Sequence, residues 1–314
     1  MYNIFIDGSV GTTGLRIASR LASRDDINLL SIPEELRKDN AAVAERINAS
    51  DVTFLCLPDA AAKEAVTLCK NPNTVIIDAS TAHRTADGWA YGFPELDDTF
   101  RNNIVNSKRI ANPGCHASGF NSIVYPLVKG GIISPDYPLV SHSLTGYSGG
   151  GKGMISSYED ENRAEKYDSP AQYGLTAHHK HLPEMKAVCS LAFEPVFNPI
   201  VGDFYSGMAV TVPLHSSLMK KKLTTSELHE YFSEYYASCR LISVKPLCEK
   251  GTEDGFLYTN SLSGKDSMEI IVCGCDERPQ ICALFCNLGK GASGAAIQNM
   301  NLVLGVDECS GLVL

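Results

Sequence analysis

Three features of the 314-residue chain predict an α/β fold built in two parts. It opens with a strand, a glycine-rich loop and a helix; apolar strands and helices then alternate up to residue 111. The rest turns to period-two alternation, the mark of a largely antiparallel sheet. Ile4-Phe5-Ile6 is the first strand. Gly8-Ser9-Val10-Gly11-Thr12-Thr13-Gly14 follows, and Leu15–Leu21 has helical periodicity. Glycines at this GxxGxxG spacing permit a tight turn and close backbone approach, and open N–H groups at a helix start donate to a pyrophosphate. Gly8, Ser9, Gly11, Thr12, Thr13 and Gly14 are therefore candidates for holding a dinucleotide.

Ile27–Ile32 is the second strand. No acidic residue stands at its end to take a ribose 2′-hydroxyl; Ser31 does, with Arg37 and Lys38 shortly after. Together with the loop hydroxyls this favours a 2′-phosphate, hence NADP over NAD, with Arg37 as a candidate contact. Asp51–Pro58 reads as a buried parallel strand, Asp59–Lys70 as a helix and Thr74–Asp78 as the next strand. Leu57, Pro58 and Ser80 then lie at carboxyl ends of strands, where open α/β sheets bind ligands. Arg84, in the same loop as Ser80, could face an anionic group.

Asn112-Pro113-Gly114-Cys115 singles out one of eleven cysteines. The Pro-Gly pair makes a sharp turn, and an apolar helical stretch follows, so Cys115 falls in a first helical turn. Open N–H groups and the helix dipole there favour a thiolate, which is a nucleophile. Beyond it, Tyr137–Thr145, Phe204–Val212, Met268–Cys275 and Gln280–Cys286 alternate as strands, the last two as a hairpin around Asp276–Pro279. Lys220–Cys239 reads as a helix on that sheet, and Ala295–Leu304 as a terminal helix returning to the first part. The implied domains are 1–114 completed by 288–314, and 115–287.

Two more stretches carry chemistry. Thr145–Lys152 is glycine-rich with hydroxyls and a lysine, and could present N–H donors to an anion. His178-His179-Lys180-His181 packs three histidines into four positions; in an extended segment His179 and His181 share one face. Either could serve Cys115 as general base and acid. No cysteine–histidine spacing matches a structural zinc pattern, so no metal is expected, and the hairpin cysteines read as packing.

Net charge is −9, so no basic surface recommends nucleic acid or an anionic membrane as partner. No apolar run is long enough to span a bilayer. Met1–Gly8 lacks the regions of a signal peptide, and eleven cysteines without one predict a reducing cytoplasm.

Together these residues resemble the N-acetyl-gamma-glutamyl-phosphate reductase family, in its short branch, nearly end to end. The resemblance is carried by Gly8–Gly14, Leu55–Asp59, Asp78–Arg84, Tyr91–Leu96, Ala111–Cys115, Thr145–Lys152, His179-x-His181-x-Pro183-Glu184 and Lys290–Gly294. Pro-Gly-Cys combined with His-x-His-x-Pro-Glu is its specific signature. His116-Ala117-Ser118 departs from the longer members, which carry an aromatic, a small residue and Thr there.

The resemblance implies a Rossmann NADP-binding domain plus an α+β catalytic and oligomerisation domain, like glyceraldehyde-3-phosphate and aspartate-semialdehyde dehydrogenases. It implies NADPH-dependent reduction of an acyl phosphate, N-acetyl-L-glutamyl 5-phosphate, to the 5-semialdehyde in arginine biosynthesis, by a homo-oligomer (tetramer or dimer). Cys115 would be the acyl acceptor, Gly291 would join the cofactor site, and Arg84, Ser148 and Gly149 would hold phosphate or substrate carboxylate. Two rival readings are an aspartate-semialdehyde dehydrogenase-type reductase and a non-catalytic NADP(H)-sensing regulator. A sensor needs neither Cys115 nor the histidine pair.

Overall fold

The computed structural model describes residues 1–314. The chain forms two compact units, Met1–Gly114 with Ala292–Val313, and Cys115–Gly291. In the first, strands and helices alternate: β1 (Tyr2–Asp7), α1 (Thr12–Leu21), β2 (Ile27–Leu30), α2 (Asn40–Ala49), β3 (Val52–Leu55), α3 (Asp59–Leu68), β4 (Val75–Asp78), β5 (Ala90–Tyr91), α4 (Asp98–Asn106) and β6 (Arg109–Ala111). All strand pairs are parallel, in the order β2-β1-β3-β4-β6-β5. Every residue of β3 and β4 is buried, because both faces of the sheet are covered.

Period two divides the core. Ile4, Ile6, Phe54 and Ile77 pack with Ile17 and Leu21 of α1 and with Ile297 and Met300 of the chain's last helix, Gly294–Leu304. Phe5, Leu55 and Ile76 face the other way, onto Val43 and Ile47 of α2 and Ala62 and Ala65 of α3. Each fully buried Ile, Leu, Phe or Met side chain among them contributes about 1.5–3 kcal/mol. The order reverses at β1, which lies between β2 and β3, so the loops after β1 and β3 flank the crevice where such sheets take ligands.

The second unit contains α5 (Cys115–Lys129), β7 (Val140–Gly146), α6 (Gly151–Glu159), β8 (Ala171–Gln172), α7 (Leu182–Val188), β9 (Val196–Gly202), β10 (Met208–Pro213), α8 (Thr225–Tyr235), β11 (Ile242–Val244), β12 (Met268–Cys275) and β13 (Arg278–Phe285). Its seven-stranded sheet runs β11-β12-β13-β10-β7-β9-β8. Four of its pairs are antiparallel, while β7–β9 and β11–β12 are parallel. The helix Gly294–Leu304, α9, completes the element order.

Several expected boundaries move. The hairpin turn is only Asp276-Glu277, since Arg278 and Pro279 already pair with Cys275 and Gly274. The helix expected over 220–239 is confined to Thr225–Tyr235, opened by a Thr224/Glu227 capping box. β9 is unexpected: no strand is read over residues 196–202, and it contains Pro199. Tyr173 N–H donates to the Pro199 carbonyl at 3.0 Å, so proline's missing N–H faces the short edge strand β8 and spares the ladder with β7.

Pro126 sits inside α5. It cannot donate to the carbonyl four residues back, that of Ser122, and the Tyr236 hydroxyl takes that carbonyl at 2.6 Å. A buried helix that starts at Cys115 can therefore tolerate its proline.

Candidate active site

In the first unit, the loop between β1 and α1 is made of backbone. Gly8 has φ +82°, and a Cβ there would lie 2.3 Å from the Cys56 carbonyl oxygen. A Cβ on Gly14 would lie 2.5 Å from the Gly8 carbonyl oxygen. Only glycine lets the strand, the loop and the α1 start approach this closely. Gly11 is the N-cap, so no side chain caps the first turn, whose N–H groups fit a pyrophosphate. Ser9, Thr12 and Thr13 border the same turn and are partly exposed. Pro58 caps the start of α3.

Other expected contacts are already engaged. The Ser80 hydroxyl donates to Asp78 at 2.7 Å, and the Asp78 carboxylate also bonds His83 Nδ1 at 2.6 Å. Arg37 lies 3.8 Å from Glu34, in a short turn after β2. Arg84 donates to the carbonyls of Asn112 (3.0 Å) and Ala79 (3.2 Å), bracing the turn that precedes Cys115 rather than standing open to solvent. Asn112 is also held by its side chain, to the Ala292 carbonyl at 3.0 Å and from Asn299 at 3.3 Å.

The second unit assembles the nucleophile. Cys115 is the first residue of α5 and is partly exposed. Its thiol lies with ring nitrogens of His116 and His181, all within 4.8 Å of one another. Gly291 closes one side: a Cβ there would meet the Cys115 Cβ at 3.0 Å and the Phe285 ring at 3.1 Å. Gly291 therefore lies against the nucleophile. Ser148 is buried, and its hydroxyl accepts from Asn287 at 3.1 Å; Gly149 follows it in a short helical turn.

His179 and His181 do not lie on one extended face. Their segment is a run of turns, and His181 is the N-cap of α7 in αR conformation. The rings still meet edge to face, 4.9 Å apart. The His181 backbone N–H donates to His179 Nδ1 at 3.3 Å, so His179 holds the backbone that positions His181. Burial, then Lys180, pushes His179 below its usual range.

His116, Ser143, Tyr173 and Phe197 complete the cluster. His116 Nδ1 pairs with Ser143 Oγ at 2.6 Å and Nε2 with Tyr173 Oη at 2.7 Å. Burial, with His179 and Lys180 nearby, drives His116 down to about 3, so it stays neutral at physiological pH. Burial and the charge of Cys115 push Tyr173 up, so it remains a phenol beside the thiol. Phe197 packs on His116 and His179 at 5.2 and 5.1 Å. In the sequence only His116 carries a signal, as a departure from the longer relatives. Ser143, Tyr173 and Phe197 sit in strands or turns that no motif marks.

A parallel sheet with a glycine loop, followed by a mixed-sheet unit that opens on a cysteine beside histidines, defines a semialdehyde dehydrogenase-class protein. Family models agree: "semialdehyde dehydrogenase, NAD binding domain" matches residues 14–104 and "semialdehyde dehydrogenase, dimerisation domain" matches 115–287. An aspartate semialdehyde dehydrogenase II from Vibrio cholerae shares the fold, at TM-score 0.72 and 13% identity, over 97% of this chain and 98% of that one. So does the Candida albicans aspartate semialdehyde dehydrogenase with NADP, at TM-score 0.65 and 15% identity, over 98% and 99%. Closer in sequence are N-acetyl-gamma-glutamyl-phosphate reductases. That of Chelativorans sp. is 45% identical over 96% of this chain and 97% of its own length. That of Mesorhizobium japonicum is 44% identical over 96% and 99%. The chain belongs to the N-acetyl-gamma-glutamyl-phosphate reductase family.

Proposed function

We propose that the chain reduces N-acetyl-L-glutamyl 5-phosphate to the 5-semialdehyde, releasing phosphate, with NADPH as reductant, in arginine biosynthesis. The observation that carries this reading is a cysteine at a helix start with a histidine within 4.8 Å, in a chain whose family forms semialdehydes. The lack of an acidic residue at the end of β2 supports NADP over NAD. Bound in the first unit, the cofactor supplies hydride.

The chain's own residues do the rest. The Cys115 thiolate attacks the acyl-phosphate carbon; the C–O bond to phosphate breaks and a thioester remains. A thioester carbonyl accepts hydride, giving a thiohemiacetal whose collapse frees the aldehyde and regenerates the thiolate. The Cys115 backbone N–H at the α5 start and His181 serve the developing oxyanion. His181 also moves the proton, since it is buried beside the thiol, while His179 orients it. Tyr173, kept as a phenol, offers a further donor. Ser148 would reach the substrate through its hydroxyl, which Asn287 orients, and Gly149 through its backbone N–H; the Ser148 N–H is held by the Tyr205 carbonyl at 3.0 Å. Arg84, which braces the turn before Cys115, would face the phosphate or carboxylate.

The family description of residues 115–287 as a dimerisation domain supports a homo-oligomer. No helix is long and apolar enough to cross a membrane, and all eleven cysteines are free thiols, which supports a reducing cytoplasm. Phosphate-dependent NADP reduction should proceed with N-acetylglutamate semialdehyde. Turnover of aspartate semialdehyde alone would overturn the substrate. NADPH binding with no turnover of either would leave a regulator.

A further inference from the structure

The trio Cys115, His116 and His181 has a second chemical identity: one thiol sulfur and two imidazole nitrogens, all within 4.8 Å of one another. Sulfur and imidazole nitrogen are the donors zinc takes, and three protein ligands leave its fourth position open. Zinc–ligand bonds of 2.0–2.3 Å place tetrahedral ligand atoms about 3.3–3.6 Å apart, so these side chains need close by only about an ångström. Both histidines are buried, at 3% and 4% exposure, so bulk water competes weakly there.

His116 also has the outer partner that a ligating imidazole usually has. Ser143 holds Nδ1 at 2.6 Å, which fixes the ring plane and leaves Nε2 as the ligating atom. Nε2 carries the Tyr173 hydroxyl at 2.7 Å. A cation would take the place of that phenol on Nε2.

We propose that Cys115, His116 and His181 bind Zn²⁺ as a reversible mask on the nucleophile, in competition with the acyl phosphate. The Cys115 thiolate forms the sulfur–zinc bond, any proton still on the sulfur passes to solvent, and no electron moves. The cluster does not depend on which acyl phosphate is the substrate, so it stands or falls apart from the substrate assignment.

Binding of the metal alone to the full-length protein tests it. One equivalent of Zn²⁺ should protect Cys115 from iodoacetamide, with chelator restoring the reaction. Co²⁺ should give thiolate-to-metal charge transfer and the intense visible bands of a tetrahedral site. Cys115→Ser should abolish both signals. His116→Gln should weaken zinc about 10–100-fold in chelator competition while circular dichroism shows it folded. Wild-type zinc affinity in folded His116→Gln, or a weak octahedral cobalt spectrum, overturns the site. Should His116→Gln not fold, the cobalt spectrum of the unaltered protein decides alone.

Discussion

The nucleotide loop and the thiol cluster solve opposite problems. The loop is seven consecutive residues that leave backbone N–H groups open at the start of α1, and its glycines matter for the side chains they lack. The cluster draws on residues 115, 116, 143, 173, 179, 181, 197 and 291, and its work is done by side chains. Binding a diphosphate needs repeated, similar donors, which contiguous backbone provides. Activating a thiol needs unlike groups at set distances, which only folding can bring together.

The sharpest way to break this contrast is at Cys115. Cys115→Ser should lower turnover about 10⁴-fold or more while NADPH binds as before; weakened NADPH binding would mean the two functions are not separable. Next come the histidines. His181→Asn should cost about 10²–10⁴-fold in turnover, and His179→Asn about tenfold, with wild-type pH dependence kept in the latter. Equal losses would mean that the two share the role, and a displaced pH profile only in His179→Asn would reverse it.

Gly8→Ala strikes the loop alone. A left-handed φ and a Cβ 2.3 Å from the Cys56 carbonyl should cost about 2–4 kcal/mol and most NADPH affinity. Cys115 alkylation should be unchanged, and urea unfolding with fluorescence titration would check both.

Asp7, just before the loop, offers a smaller effect with a defined sign. Burial raises its carboxyl from the usual 3.8 to about 6, against a weaker pull from the Gly8 N–H. The folded state then binds the proton more tightly, so stability falls as pH rises from about 4 to about 6, and the full cost persists above. Asp7→Asn should remove that slope and stabilise the protein near pH 7 by about 1–2 kcal/mol, allowing for partial exposure. A slope that survives the substitution would sink the assignment.

The smallest effect compares thiols. Burial lifts Cys56 to about 12, with Asp78 and Asp7 adding to it, and raises Cys189 as well. A hydrogen bond from Cys282 draws Cys273 below the usual thiol range. Near neutral pH, iodoacetamide should label Cys115 a few-fold faster than Cys273 and leave Cys56 and Cys189 untouched. Peptide mapping with Cys273 in the lead would remove Cys115's claim to special reactivity.

What could be read before folding follows from this contrast. Gly8–Gly14 and Asn112–Cys115 are contiguous, so turn chemistry and periodicity locate them, and the buried β3 and β4 declare themselves by unbroken apolar runs. β9 was hidden because it contains Pro199, and only the edge position of β8 makes that proline harmless. The bonds of Arg84 to Asn112 and Ala79 carry no sequence signal, because they depend on where two loops meet.

The sequence by itself determined the two-part α/β plan, the backbone cradle and the identity of the nucleophile, because each rests on neighbours along the chain. Tertiary structure alone decided which histidine stands by the thiol. It also made His116 a neutral ring between Ser143 and Tyr173 and brought Gly291 against Cys115. Those outcomes depend on distances across the sheet and on burial, and neither is a property of any local stretch of residues.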